Sequence, residues 1–269
     1  MSLRKVSSLH LNTGYITDEG LKAIGEALKH NPALTSLDLN SNDIGDEGVK
    51  VLAEGLKHNS TLTNLSLNLC VTDEDLKDIA EALKHNSALT SLDLGENHMG
   101  DEGLKAIAEA LKHNSTITRL YLNSNNIGDE GAQTLAELLK YNSTLTSLDV
   151  GRNNIGAEGR KAIAEVLKYN TTITSLGIEK ANIGDEGLAL LEVLKHNSSL
   201  NSLSLGFNFS AGGGITHTPL LTGPKNLLKF NGKKTALYTK AENAVKCLQK
   251  FAAYDAANNS THELGSQEC

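Results

Sequence analysis

The chain has 269 residues, a formal net charge of −7, few aromatic residues and no tryptophan. Nucleic-acid binding needs a clustered basic face opposite phosphates, so this acidic balance argues against a nucleic-acid partner. The three cysteines lie far apart and outside any C-x-x-C pair, which argues against a disulfide framework or a cysteine-built metal site and favours a reducing compartment.

The N-terminus enters repeat-like sequence at Val6, without an apolar run of the kind that secretory signals carry. No stretch approaches the ~20 apolar residues of a membrane helix. Terminal repeats normally carry a polar outer face, and none precedes Val6. We therefore expect a fragment of a longer protein, with Met1–Leu3 as an added start. A cytoplasmic location is favoured, and delivery as a bacterial effector stays open.

From Val6 onward the sequence repeats in steps of 27 or 28 residues. Each copy opens on L-x-x-L-x-L-x-x-N-x-I, as in Leu34, Leu37, Leu39, Asn42 and Ile44. The L-x-L alternation predicts a short strand with one buried face. The asparagine is expected to bond turning backbone beyond the strand. The copies begin at Val6, Leu34, Leu62, Leu89, Ile117, Leu145, Ile173 and Leu200.

A helix is predicted to follow each strand after the segment I-G-D-E-G. In the second copy, Gly45 is expected to adopt a positive φ and Asp46 to be the N-cap. In the fourth copy, Leu104, Ile107, Ala108 and Leu111 have the i, i+3, i+4, i+7 spacing of one apolar stripe. The tripeptide K-H-N should end the helix, because Asn tolerates the left-handed cap.

One strand and one helix cannot close a core, so neighbouring copies must stack. The strands then form a parallel sheet and the helices a second layer. Helices pack ~8–10 Å apart and strands ~4.8 Å apart, which predicts a curved solenoid with the strands on its inner side.

The L-x-x-L-x-L-x-x-N core resembles the leucine-rich-repeat motif over about residues 6–210. A 28-residue period with a full helix is similar to the ribonuclease-inhibitor-like subclass, which includes the leucine-rich regions of NOD-like receptors and the activators of the GTPase Ran. The resemblance implies an α/β fold: a right-handed, horseshoe-shaped arc with strands on the concave face and helices on the convex face. It also implies a non-catalytic protein-interaction scaffold without a cofactor.

Several copies depart from the motif. Cys70 takes the asparagine position in the third copy, where one residue is also missing. Gly14 and Ala181 replace the asparagine in the first and seventh copies, and Arg160 lies where the other helices have Leu, Val or Ala. We expect local distortions of a regular stack at these points, and no activity.

The repeated polar residues invite functional interpretations, but structural ones account for them better. The K-H-N histidines would lie roughly 10 Å apart along the helix layer, too far to share one metal ion. The acidic pairs such as Asp46 and Glu47 lack the spacing of a calcium loop. Three Asn-Ser-Thr sequons coincide with the helix-to-strand turn, and the Gly-rich residues 210–218 lack the Lys of a phosphate loop.

Specificity should therefore lie at exposed positions between the buried leucines, where most copies have small polar residues. Arg119 and Tyr121 are the exceptions in the fifth strand, and both types are enriched at interface hot spots. Two interpretations remain open: a partner-binding patch, or a solvated face with incidental charge pairing. The candidate partner-binding residues are Asp93, Glu96, Arg119, Tyr121, Asp149, Arg152, Glu179 and Lys180.

The sequence changes character near residue 215. We predict a solenoid of about eight repeats over 1–215, a capping segment over 216–257 with a helix near 236–257, and a disordered tail over 258–269. A protein partner is expected, without nucleic acid, membrane or small-molecule substrate. Two alternatives stay open: a GTPase-activating protein, and the targeting arm of a larger effector, for which Cys247 is the one candidate nucleophile of the last segment.

Overall fold

A computed structural model describes residues 6–12, 16–42, 44–178 and 197–204, together with the strand Leu227–Lys229. Each fully described copy is one three-residue strand followed by one helix. The strands are β1 (Ser8–His10), β2 (Ser36–Asp38), β3 (Asn64–Ser66), β4 (Ser91–Asp93), β5 (Arg119–Tyr121), β6 (Ser147–Asp149), β7 (Ser175–Gly177), β8 (Ser202–Ser204) and β9 (Leu227–Lys229). The helices are α1 (Asp18–Leu28), α2 (Asp46–His58), α3 (Asp73–His85), α4 (Asp101–Leu111), α5 (Asp129–Tyr141) and α6 (Ala157–Leu167).

The strands form one sheet in chain order, and β1 to β8 are all parallel. Their register is fixed by the repeat: the central leucines Leu37, Leu65, Leu92 and Leu120 pair with one another on successive strands. The predicted parallel sheet is confirmed. β9 pairs with β8 in the antiparallel direction and was not predicted. The expected helix near 236–257 and the tail over 258–269 lie outside the described residues.

The core lies between the sheet and the helix layer. Leu34, Leu37 and Leu39 are buried, as the strand alternation predicts. The predicted stripe on α4 is also buried, and its neighbours Lys105 and Glu109 are exposed. Because strands sit closer together than helices, this two-layer stack forms an α/β solenoid whose strands line the concave side. No helix among the described residues is long and apolar enough to cross a membrane.

The asparagine that follows each strand joins two copies. The Asn125 side chain donates through Nδ2 to the carbonyl oxygens of Leu94 (2.9 Å) and Leu122 (3.1 Å), and its Oδ1 accepts the N–H of Met99 (3.0 Å). It thus satisfies buried backbone groups of its own copy and of the preceding one, which otherwise would have no partner. The predicted turn role is confirmed, and the link between copies adds to it.

The asparagine of K-H-N also joins copies, but not in the predicted conformation. Asn59 has a φ of −86° and is extended, so the left-handed cap was a wrong prediction. Its Oδ1 instead accepts the N–H groups of Thr61 and Leu62, while Nδ2 donates to the carbonyl oxygen of Leu28 (2.8 Å). Nδ2 is the atom that glycosylation would modify, and here it is buried and hydrogen-bonded, which explains the sequon structurally.

The helix starts also differ from expectation. Gly45 is the N-cap of α2 and has a φ of −87°, so neither the positive φ nor Asp46 as N-cap is correct. The Asp18 carboxylate of the preceding helix accepts the N–H of Gly45 (2.6 Å). A Cβ at Gly45 would come within 2.9 Å of that carboxylate. Glycine thus leaves room for the Asp18 carboxylate of the preceding copy to approach closely.

The third copy accommodates its missing residue at Cys70. This residue has a φ of 60° and is exposed, whereas the asparagines of the motif, such as Asn42 and Asn97, are buried. Leu69 is the buried residue before it. The assignment of Cys70 to the asparagine position was therefore wrong, because the shortened loop turns one residue later. Gly14 and Ala181 lie outside the described residues.

Candidate functional site

The side chains at the first and last residue of each strand face away from the helices, in two rows across the concave side. The first row, here the third-position row, comprises Ser8, Ser36, Asn64, Ser91, Arg119, Ser147, Ser175 and Ser202. The second, the fifth-position row, comprises His10, Asp38, Ser66, Asp93, Tyr121, Asp149, Gly177 and Ser204. The strand register thus places equivalent positions of successive copies side by side in each row.

Arg119 and Tyr121 are the two large side chains of β5 on this face. Both are half-buried, and neither forms a hydrogen bond or ion pair with another residue in the described part of the chain. In the third-position row, Ser91 and Ser147 flank Arg119. We define Arg119 and Tyr121 as the Arg119–Tyr121 patch, a pair of large side chains with unused hydrogen-bonding groups between small neighbours.

Asp93 and Asp149 flank Tyr121 in the fifth-position row, but their carboxylates point elsewhere. Asp93 accepts the N–H of Gly95 (2.9 Å) through Oδ1 and the Ser66 hydroxyl (3.3 Å) through Oδ2. Ser66 lies on β3, on the side away from Tyr121.

The Asp149 carboxylate also leans away from the patch, in the opposite direction. Its Oδ1 accepts the N–H of Gly151 (2.9 Å) and would lie 2.5 Å from a Cβ at Gly177, the neighbouring residue on β7. Both aspartates therefore shape their own strand ends, and neither is paired with Arg119. This geometry disfavours the interpretation of the patch as incidental charge pairing.

Glu96 and Arg152 lie beyond the strand ends, on either side of the patch. Both are exposed and have a φ of 55°. The equivalent positions Ser41 and Ser124 have the same left-handed backbone, so this conformation belongs to the repeat and not to a special site. Glu179 and Lys180, the remaining candidates, lie outside the described residues.

A second feature escaped the sequence analysis because it lies on the helix side. Tyr141 and Tyr169 take the histidine position of K-H-N, and they are 79% and 82% exposed. They border a groove of about 650 Å³ between α5 and α6. The sequence signal for this feature is the replacement of histidine by tyrosine at the same position in two consecutive copies.

The repeated histidines contact glutamates of their own helices. In α2, the Glu54 carboxylate lies 2.9 Å from Lys57 Nζ and 3.2 Å from His58 Nε2. The arrangement recurs around Glu81 in α3 and Glu109 in α4. In all three cases the hydrogen bond from the lysine is the main cause that lowers the pKa of the carboxyl. Among the described residues no group of three or more His, Cys, Asp and Glu side chains could hold a metal ion.

These contacts predict a small acid dependence of stability. A carboxyl whose folded pKa is lowered contributes stability above its unfolded pKa, near 4.5, and loses that contribution as the pH falls through the folded pKa. The combined change of Glu54, Glu81 and Glu109 to Gln should therefore flatten the fall of Tm below about pH 5. Because these carboxylates are exposed, 1 M salt should screen their ion pairs and so reduce the difference in Tm between the variant and the unmodified protein. A Tm profile identical to that of the unmodified protein would contradict this account.

Comparison with known proteins places this repeat among described families. The profile of the TMOD/LMOD leucine-rich domain matches residues 67–179, and the Leucine Rich repeat profile matches residues 30–53 and 169–191. No curated protein matches the chain.

Two solved structures similar to the chain carry related descriptions. The structure described as leiomodin-1 actin-binding site 2 is 32% identical, with coverage of 54% of this chain and 86% of that one and a TM-score of 0.48. The tropomodulin C-terminal domain, from a Caenorhabditis elegans structural genomics project, is 16% identical, with coverage of 66% and 92% and a TM-score of 0.41. The repeat profiles and the strand–helix solenoid lead to the same conclusion: the chain is a leucine-rich-repeat protein.

Proposed function

We propose that this solenoid is a non-catalytic scaffold that binds a protein partner through its concave face, centred on the Arg119–Tyr121 patch. The main support for the proposal is that neither Arg119 nor Tyr121 forms a hydrogen bond or ion pair with a described residue. A half-buried guanidinium keeps its donors unused among the described residues, next to a tyrosine whose hydroxyl is also unused. A protein partner can supply hydrogen bonds to both groups when the interface excludes water.

The surrounding rows also support a protein partner. Ser91 and Ser147 flank Arg119 in the third-position row, so a partner can approach the strands closely at this point. In protein interfaces, tyrosine and arginine often contribute much of the binding free energy, while the residues around them contribute little. In this proposal the aspartates Asp93 and Asp149 hold the strand ends, while Glu96 and Arg152 lie at the rim of the interface.

The test is a binding comparison between two matched double variants. Partners captured from a lysate with the unmodified protein are measured again with Arg119→Glu/Tyr121→Ala and with Tyr141→Ala/Tyr169→Ala, which removes two exposed aromatic rings from the helix side. We expect the first variant to weaken binding by about tenfold or more and the second to leave it unchanged. Loss of binding in the helix-side variant alone would contradict the proposal.

Purified actin serves as one defined probe in the same comparison, since the leiomodin-1 structure is described as an actin-binding site of that protein. Actin that binds the unmodified protein and not the Arg119→Glu/Tyr121→Ala variant would identify one partner. Actin that binds both equally would assign that interaction to another surface.

A further inference from the structure

We infer that the Arg119–Tyr121 patch recognises an extended peptide segment in which an acidic residue and an apolar residue lie two positions apart. The acidic side chain pairs with Arg119 and the apolar side chain packs on the Tyr121 ring. This inference rests on the proposed function and names the chemistry of its partner.

Arg119 supplies the first half of this recognition. Its guanidinium has planar, paired donors that match a carboxylate, and no carboxylate among the described residues occupies them. The flanking Ser147 adds a hydroxyl that forms no hydrogen bond with a described residue, whereas Ser91 on the other side is buried. Because Arg119 is half-buried, an ion pair there would be screened less by solvent than a pair on an open surface.

Tyr121 supplies the second half, and its surroundings restrict what can lie on it. Asp93 and Asp149 flank it at about 4.8 Å strand spacing, with carboxylates tilted toward β3 and β7. A second acidic side chain would meet these charges, whereas an apolar side chain can cover the exposed ring. The patch therefore fits a single carboxylate in an otherwise neutral segment better than an acidic run.

The spacing of the two anchors sets the backbone form of the partner segment. Arg119 and Tyr121 are two residues apart on one strand, about 6.6 Å along it. An extended peptide has the same repeat between side chains on one face, so residues i and i+2 of such a segment meet the two anchors together. A helical segment places its neighbouring side chains three and four residues apart instead.

The experiment selects from a random 12-residue peptide library displayed on phage against the full chain. Binders to the Arg119→Ser/Tyr121→Ser variant are removed first; serine is already the common residue of the third-position row, so this fold tolerates it. We expect selected peptides to share an acidic and an apolar residue two positions apart. Synthetic copies with amidated C-termini should bind Arg119→Ser about ten- to a hundredfold more weakly.

Reversing the charge of the peptide residue and of Arg119 tests whether these two groups pair directly. A selected peptide with its acidic residue replaced by lysine should lose binding to the unmodified protein and regain it with Arg119→Glu. Peptides that depend on Tyr121 and Arg119 but carry no acidic residue would overturn this inference and leave the proposed function intact. A library that yields no binder dependent on either residue would contradict the inference, and the lysate comparison would then decide the proposed function on its own.

Discussion

Asn97→Ala should lower the free energy of unfolding by about 3 kcal/mol or more, as measured by urea denaturation. Asn97 is 5% exposed and makes five hydrogen bonds to backbone groups of two copies. Its Nδ2 donates to the carbonyl oxygens of Leu67 (2.7 Å), Leu94 (3.0 Å) and Gly95 (3.1 Å). Alanine would leave these buried groups without partners and open a cavity beside them.

Asn97 has a larger role than the equivalent asparagines because it adjoins the shortened third copy. Its Oδ1 accepts the N–H of both Leu69 and Val71 (3.0 Å each), whereas the Oδ1 of Asn125 accepts only that of Met99. The matched control is Asn126→Ala, an exposed asparagine whose side chain bonds no described residue, and we expect it to change stability little. Equal stability losses in both variants would show that the hydrogen bonds of the Asn97 side chain are not the cause.

Gly55→Ala should destabilise the protein by about 1–3 kcal/mol, although alanine is the better helix former. Gly55 lies within α2 where that helix meets α1, and a Cβ there would come within 2.3 Å of the Gly25 carbonyl oxygen. Backbone cannot yield as a flexible side chain can, so α1 and α2 must move apart and lose packing.

Gly20→Ala is the control for this change. A Cβ at Gly20 would lie 3.3 Å from the Ile16 side chain, which can shift. We expect this variant to be close to neutral, since the gain in helix propensity offsets a small adjustment. A Gly55→Ala variant as stable as the unmodified protein would disprove the close approach of the two helices. Thermal denaturation of the three proteins makes the comparison.

The architecture could be predicted well from the sequence because the nearly constant repeat length determines which residues lie side by side on adjacent strands. A leucine such as Leu37 recurs at a constant spacing, so its burial and its partners on adjacent strands follow from the period. Local conformations were predicted less well. Gly45 and Asn59 were assigned to positive φ from residue preference alone, but each is determined by contacts with the preceding copy that no single repeat contains.

The candidate site was only partly accessible from the sequence. Arg119 and Tyr121 could be identified because they break the pattern of small residues in their rows. The sequence could not show that Asp93 and Asp149 lean away from them, since a hydroxyl on β3 and a missing side chain at Gly177 decide those orientations. Charge proximity in the sequence therefore overstated the pairing of Arg119 with its acidic neighbours.

The most direct test of the central proposal is photo-crosslinking from each side of the solenoid. p-Benzoylphenylalanine replaces Tyr121 in one protein and Tyr169 in another, so both changes exchange one aromatic ring for another. With a captured partner bound, we expect a crosslink from position 121 and none from position 169. A crosslink from position 169 alone would show that the partner binds the helix side and would contradict binding through the concave strand face.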